Sequence, residues 1–119
     1  YESRLQHLAQ KVVSRYPGAT FSMDVAEQYR NMKVILDRHP QVVANAKAAI
    51  ERVGLSVKTA AIRGGTDGSR LSFMGLPCPN IFTGMQNLHG KHEWISVQDM
   101  QASVKTLVEL VKIWEENSL

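Results

Sequence analysis

One cysteine, Cys78, is present in 119 residues, so no internal disulfide can form, and a reducing compartment fits that usage. Long hydrophobic runs are absent as well. The apolar stretches extend only a few residues, against the ~20 that a membrane helix needs. The stretch from Tyr1 to Tyr16 is charged and amphipathic, unlike a signal peptide. These absences point to a cytoplasmic protein with no membrane partner. Charge of one sign is not concentrated either. The net charge is +3, but the basic residues are scattered from Arg4 to Lys112. With no basic run beside aromatics, no zinc finger and no RNP-type motif, nucleic acid is not an expected partner. Methionine is missing from the start, and Tyr1 in its place hints at a fragment. Hydrophobic residues make up 44% and charged residues 21%, an ordinary composition for a folding chain, and the length suits one domain rather than two.

Leu5, Leu8, Ala9, Val12, Val13 and Tyr16 recur at helical spacing and predict a helix over 3–16, stopped by Pro17-Gly18. Phe21, Met23 and Val25 alternate with Ser22, Asp24 and Ala26, which predicts a half-buried strand over 20–29. Residues 30–38 read as a crossing segment. His39-Pro40 opens a second helix, with Val42, Val43, Ala46, Ala49, Ile50 and Val53 as its buried face and Gly54 as its cap. A short strand over 57–62 leads into a glycine-rich loop, Gly64 to Gly68, followed by a brief helix over 69–74. Pro77-Cys78-Pro79 precedes another strand over 80–83, and residues 89–93 form a loop. Ser96 with Asp99 starts the last helix, 98–116, whose buried face is Met100, Val104, Leu107, Val108, Val111 and Trp114. This order of elements suits a layered α/β sheet.

Two constellations bear chemistry. The loop after the 57–62 strand has adjacent glycines that let a backbone approach a ligand closely. Backbone N–H groups at a helix start attract anions, and Thr66 and Ser69 add hydroxyls. Arg63 at its mouth presents a guanidinium fork suited to a carboxylate or phosphate. It is neither a Walker A motif nor a dinucleotide fingerprint, and a simple tight turn capped by Asp67 accounts for the same spacing. The second constellation is His89, His92 and Glu93. Imidazole and carboxylate are common ligands of catalytic zinc, but the three-residue spacing on a glycine-containing loop disfavours both histidines on one ion. One ligand with a supporting neighbour, or two solvent-exposed histidines, are the readings it leaves. A Cys78–His89 nucleophile is the weakest alternative, since flanking prolines favour a packing cysteine.

The run Ile62-Arg63-Gly64-Gly65-Thr66-Asp67-Gly68, the stretch from Leu71 to Gly84 and the segment His89-Gly90-Lys91-His92-Glu93 closely resemble the peptidase T family of tripeptide aminopeptidases. That family is a branch of the zinc peptidases related to carboxypeptidase G, aminoacylase and succinyl-diaminopimelate desuccinylase. Tyr29, Asn31, Met32 and His39-Pro40 resemble its return from lid domain to catalytic domain. The resemblance implies an α/β fold: residues 1–37 are the end of the lid domain, a helix and a strand, and residues 38–119 are the C-terminal part of a layered catalytic domain. It implies that His89 is a metal ligand, that Arg63 binds the substrate carboxylate, and that Thr66 and Asn80 line the same pocket. The implied cofactor is zinc, two ions in the intact site with at most one ligand from this chain. The implied partners are a small peptide substrate and the remainder of the peptidase chain, with self-association through open sheet edges. Met85, Gln86, Leu88 and Lys33 depart from the family pattern, which bears on substrate preference. The family's other ligands and its glutamate base have no counterpart in the sequence, so the isolated chain is expected to be inactive. A carboxylate- or peptide-binding module without chemistry is the alternative.

Overall fold

The computed structural model describes residues 1–118 and is built of five helices: α1 (Glu2–Val13), α2 (Lys33–Leu36), α3 (Pro40–Arg52), α4 (Asp67–Phe73) and α5 (Val97–Glu116). Their ends follow local chemistry. Pro40 occupies the first turn of α3, where no N–H is required of it. At the other end Gly54 takes a φ of 80°, its N–H donates to the Glu51 carbonyl, and the Leu55 N–H donates to the Ile50 carbonyl. Those two bonds satisfy the last turn of α3 as a Schellman motif. Ser96 caps α5 as expected, accepting from the Asp99 N–H at 2.9 Å and donating to the Asp99 carboxylate at 2.7 Å. The α4 helix starts two residues before the expected 69, because Thr66 caps it by accepting from the Ser69 N–H. Within the expected crossing segment, one helical turn forms as α2, closed by a Lys33–Asp37 ion pair at i,i+4.

The three strands expected over 20–29, 57–62 and 80–83 do not form among the described residues. Residues 20–30 make no backbone–backbone hydrogen bonds, and the one β-bridge joins Gln86 to Trp94. A strand is completed by its neighbour, and these segments have none beside them to pair with. Among the described residues the expected layered sheet is not seen, and the chain is a helical arrangement with long unpaired connections.

The core lies between α3 and α5, which pack antiparallel. Ala46 and Ala49 of α3 permit close approach to Thr106 and Ile113, and all four are buried. Asn117 donates to Asn45, and Arg52 binds the neighbouring Glu116 and lies 3.8 Å from Glu109. The buried face of α5 also needs correction. Met100, Val104, Leu107, Val108, Val111 and Trp114 are exposed, whereas Thr106 and Ile113 are covered. The helix turns a narrow flank to α3 because α3 is the only helix it meets among the described residues, and its broader aliphatic face is left open. The Leu5–Leu8–Val12 stripe of α1 is likewise exposed, and among the described residues α1 contacts no other helix. The accessible surface is 9873 Å², against about 6,400 Å² for a compact chain of this mass. The radius of gyration is 20.8 Å, against about 13.5 Å for a compact domain of this length. Both excesses measure how little apolar surface this segment covers by itself.

Candidate functional site

The glycine loop is anchored by small residues. Gly64 has a φ of 90°, a conformation that a side chain disfavours. Gly65 has ordinary φ, but the ring of Tyr29 occupies the space its Cβ would need. Gly68 sits where a Cβ would lie 2.6 Å from the Cys78 carbonyl oxygen and 2.9 Å from Asn80 Oδ1. This close approach brings α4 against residues 78–80, so that Asn80 Nδ2 donates to Thr66 Oγ1 at 3.1 Å. Buried Ser72 ties the same two segments, donating to the Gly68 carbonyl at 2.7 Å and accepting from the Cys78 N–H at 3.0 Å. Buried Ser69 turns the other way and donates to the Arg30 carbonyl at 2.5 Å.

Thr66 and Asn80 are thus in contact, and with Gly64, Gly65 and Tyr29 they line one open cavity of about 1310 Å³. Arg63 and His89 are not among its lining residues. Arg63 is exposed at the loop mouth and forms no hydrogen bond or ion pair with other described residues, which leaves its guanidinium available for an anion. Beyond Tyr29, the Arg30 guanidinium grips Glu27 through two hydrogen bonds. They hold the Glu27 carboxyl below its ordinary range and raise the arginine further.

His89 lies in a separate loop closed by the Gln86–Trp94 bridge. Asn87 and His89 both have positive φ, 54° and 66°, a conformation that costs a histidine on the order of 1–2 kcal/mol. Several bonds hold it. The His89 N–H donates to Glu93 Oε2 at 2.8 Å, and the Gly90 N–H donates to the Asn87 carbonyl at 3.0 Å. Asn87 Nδ2 reaches the His92 carbonyl at 3.3 Å. Glu93 is therefore engaged with the backbone of His89, and His92 supports the loop through its carbonyl. Among the described residues no three His, Cys, Asp or Glu side chains come together in a way that could hold a metal. These residues do not by themselves make a complete zinc site.

Spacing alone gives Tyr29, Ser69 and Ser72 no structural role. Ser69 reads in the sequence as a hydroxyl beside the loop, yet it donates to a backbone carbonyl 39 residues away. The signal that could have found Tyr29 is Gly65, a second glycine with no backbone need for one.

The sequence profile of peptidase family M20/M25/M40 matches residues 4–113. Similar curated proteins include Peptidase T of Aeromonas hydrophila, 46% identical over 116 residues, covering 95% of this chain and 28% of that protein. Peptidase T of Shewanella pealeana is 42% identical over 121 residues, covering 98% of this chain and 30% of its own length. Peptidase T of Clostridium perfringens is 40% identical over 115 residues, covering 97% and 28%. The chain thus spans under a third of the length of these relatives. No helix among the described residues is long and apolar enough to cross a membrane. A profile match running through the helices, the glycine loop and the His89 loop alike means that the chain belongs to peptidase family M20/M25/M40.

Proposed function

We propose that this chain is the C-terminal portion of a zinc-dependent aminopeptidase of the cytoplasm that releases the N-terminal residue from tripeptides. The observation that carries the reading is the 40–46% identity, over nearly the whole chain, to proteins named Peptidase T. In this reading Arg63 binds the substrate's C-terminal carboxylate, and the Thr66–Asn80 pair shapes the wall beside it. An exposed, unpaired guanidinium at the mouth of an anchored loop is suited to that task. His89 supplies one metal ligand, and its strained, pinned backbone is of the kind that functional sites hold. The other ligands, the general base and the second ion's site belong to the remainder of the enzyme.

The same remainder supplies the neighbours that turn 20–29, 57–62 and 80–83 into strands of an α/β layer, with residues 1–37 ending a lid domain and 38–119 completing the catalytic one. The open face of α5 and the surplus surface are what such a division of the fold would leave. The isolated chain is then inactive, and its unpaired segments favour self-association.

The experiment compares a tripeptide with its C-terminal amide as substrates of the intact enzyme, in wild-type and Arg63→Ala forms. Amidation is expected to cost wild type about 1–3 kcal/mol in kcat/KM, the worth of a charged hydrogen bond, and to cost Arg63→Ala far less. Equal losses in both proteins would remove Arg63 from the carboxylate site. Binding of the tripeptide without release of its first residue would favour the non-catalytic module.

A further inference from the structure

We infer that Tyr29 is a positioning residue for the substrate loop, a latch whose ring seats on Gly65 and fixes residues 64–73 in the geometry that binds peptide. The inference rests on the peptidase reading for its substrate but on the structure for its geometry.

Four contacts converge on one short segment. The Tyr29 ring fills the place of a Cβ at residue 65. On the α4 side the Arg70 guanidinium stacks over that ring, 4.9 Å from its centroid. The next residue, Arg30, lies over the Phe73 ring at 5.5 Å, and its carbonyl accepts the buried Ser69 hydroxyl at 2.5 Å. Residues 29–30 are thereby held at Gly65, Ser69, Arg70 and Phe73, along the loop and one side of α4. Residues 78–80 hold α4 as well, through Gly68 and Ser72. The loop bearing Thr66 is thus gripped from two directions.

The two glycines distinguish this latch from an ordinary turn. Gly64 needs glycine for its φ of 90° and has nothing within 4 Å of its missing Cβ. Gly65 is the reverse: its φ lies outside the left-handed region, and the three atoms nearest its missing Cβ all belong to the Tyr29 ring. A Gly65→Ala change therefore perturbs the Tyr29 contact and no backbone preference, which makes the contact testable. Because the loop binds substrate and does not break bonds, loosening it weakens binding and leaves the chemical step alone.

The test is a double-mutant cycle in the intact enzyme with Tyr29→Ala, Gly65→Ala and both together, with Tyr29→Phe as the conservative variant. Each single alanine substitution is expected to raise KM for a tripeptide about tenfold with kcat within about twofold, the pattern of lost uniform binding. The double variant should be no worse than Tyr29→Ala, since the added methyl then meets no ring. Tyr29→Phe keeps the ring and should restore the wild-type KM. Effects of the two substitutions that simply multiply, or a fall in kcat at constant KM, would overturn the latch. If Gly65→Ala fails to fold, recovery of folding by adding Tyr29→Ala supports the contact, and failure of both overturns it.

Hydrogen exchange of residues 64–73 reads the same cycle without any substrate. Faster exchange in either single variant, with no further gain in the double, supports the latch even if the intact enzyme proves not to cleave tripeptides. Unchanged exchange in Gly65→Ala would overturn it.

Discussion

Replacing Gly68 by alanine sets two effects of opposite sign against each other. Gly68 lies in the first turn of α4 with ordinary φ, so the intrinsic preference of a helix for alanine favours the change by at most 0.5–1 kcal/mol, roughly. Against this, the new Cβ would meet the Cys78 carbonyl oxygen at 2.6 Å and Asn80 Oδ1 at 2.9 Å. One of those atoms belongs to the backbone, which cannot swing aside as a side-chain tip does, and such overpacking costs about 1–3 kcal/mol. Pushing residues 78–80 outwards also breaks the Asn80–Thr66 hydrogen bond, worth about 0.5–1.5 kcal/mol. The clash wins, with a net local loss of about 2 kcal/mol. Hydrogen exchange across 67–73 in the intact enzyme should accelerate about 30-fold for that loss, and KM for a tripeptide should rise with it. Slower exchange in Gly68→Ala would mean that helix preference dominates and that residues 78–80 are not seated on α4.

In the intact enzyme, His89→Ala should remove one zinc per active site, whereas His92→Ala should leave metal content nearly unchanged; the reverse pattern in metal analysis would exchange their roles. The Arg52–Glu116 pair predicts a direction of pH dependence. Hydrogen bonds from Arg52 hold the Glu116 carboxyl below its ordinary value in the folded state. Its contribution is therefore fully present above the unfolded carboxyl pKa and is lost as pH falls through the lower folded value. Arg52 is raised by the same pair, so its own contribution fades only in strong alkali. Glu116→Gln should flatten the acid limb of stability against pH and leave neutral stability little changed, because the pair is exposed. A steeper acid limb in the variant would contradict the assignment.

Helix ends were legible where one or two residues decide them. Pro40, Gly54 and Ser96 mark α3 and α5 through effects confined to a single turn, and the structure places those ends at or next to the expected residues. Strands were not legible in the same way. The alternation of Phe21, Met23 and Val25 shows which faces a strand would have, but pairing is a property of two segments and these have no partner alongside. The buried flank of α5 failed for a related reason. Periodicity finds the most apolar stripe, and here the short α3 contact covers Thr106 and Ile113 while that stripe stays open. At the site, Thr66 and Asn80 were single residues tied to one pocket by resemblance, and their hydrogen bond across 14 residues adds the contact between them. The seat of Tyr29 on Gly65 spans 36 positions and is invisible to any local pattern. The hold of Glu93 on the His89 N–H needs the loop's positive φ angles, which sequence spacing does not reveal.

Titrating the purified 119-residue chain with zinc in a calorimeter, while following release of the first residue of a tripeptide, separates one portion of a zinc aminopeptidase from a small enzyme complete in itself. Tight zinc binding needs three or four converging ligands, and in the proposed function His89 is the one this chain contributes. With too few ligands, zinc affinity no tighter than about micromolar and no metal-dependent release of the residue are expected. Sub-micromolar zinc binding accompanied by metal-dependent release would contradict the proposed function.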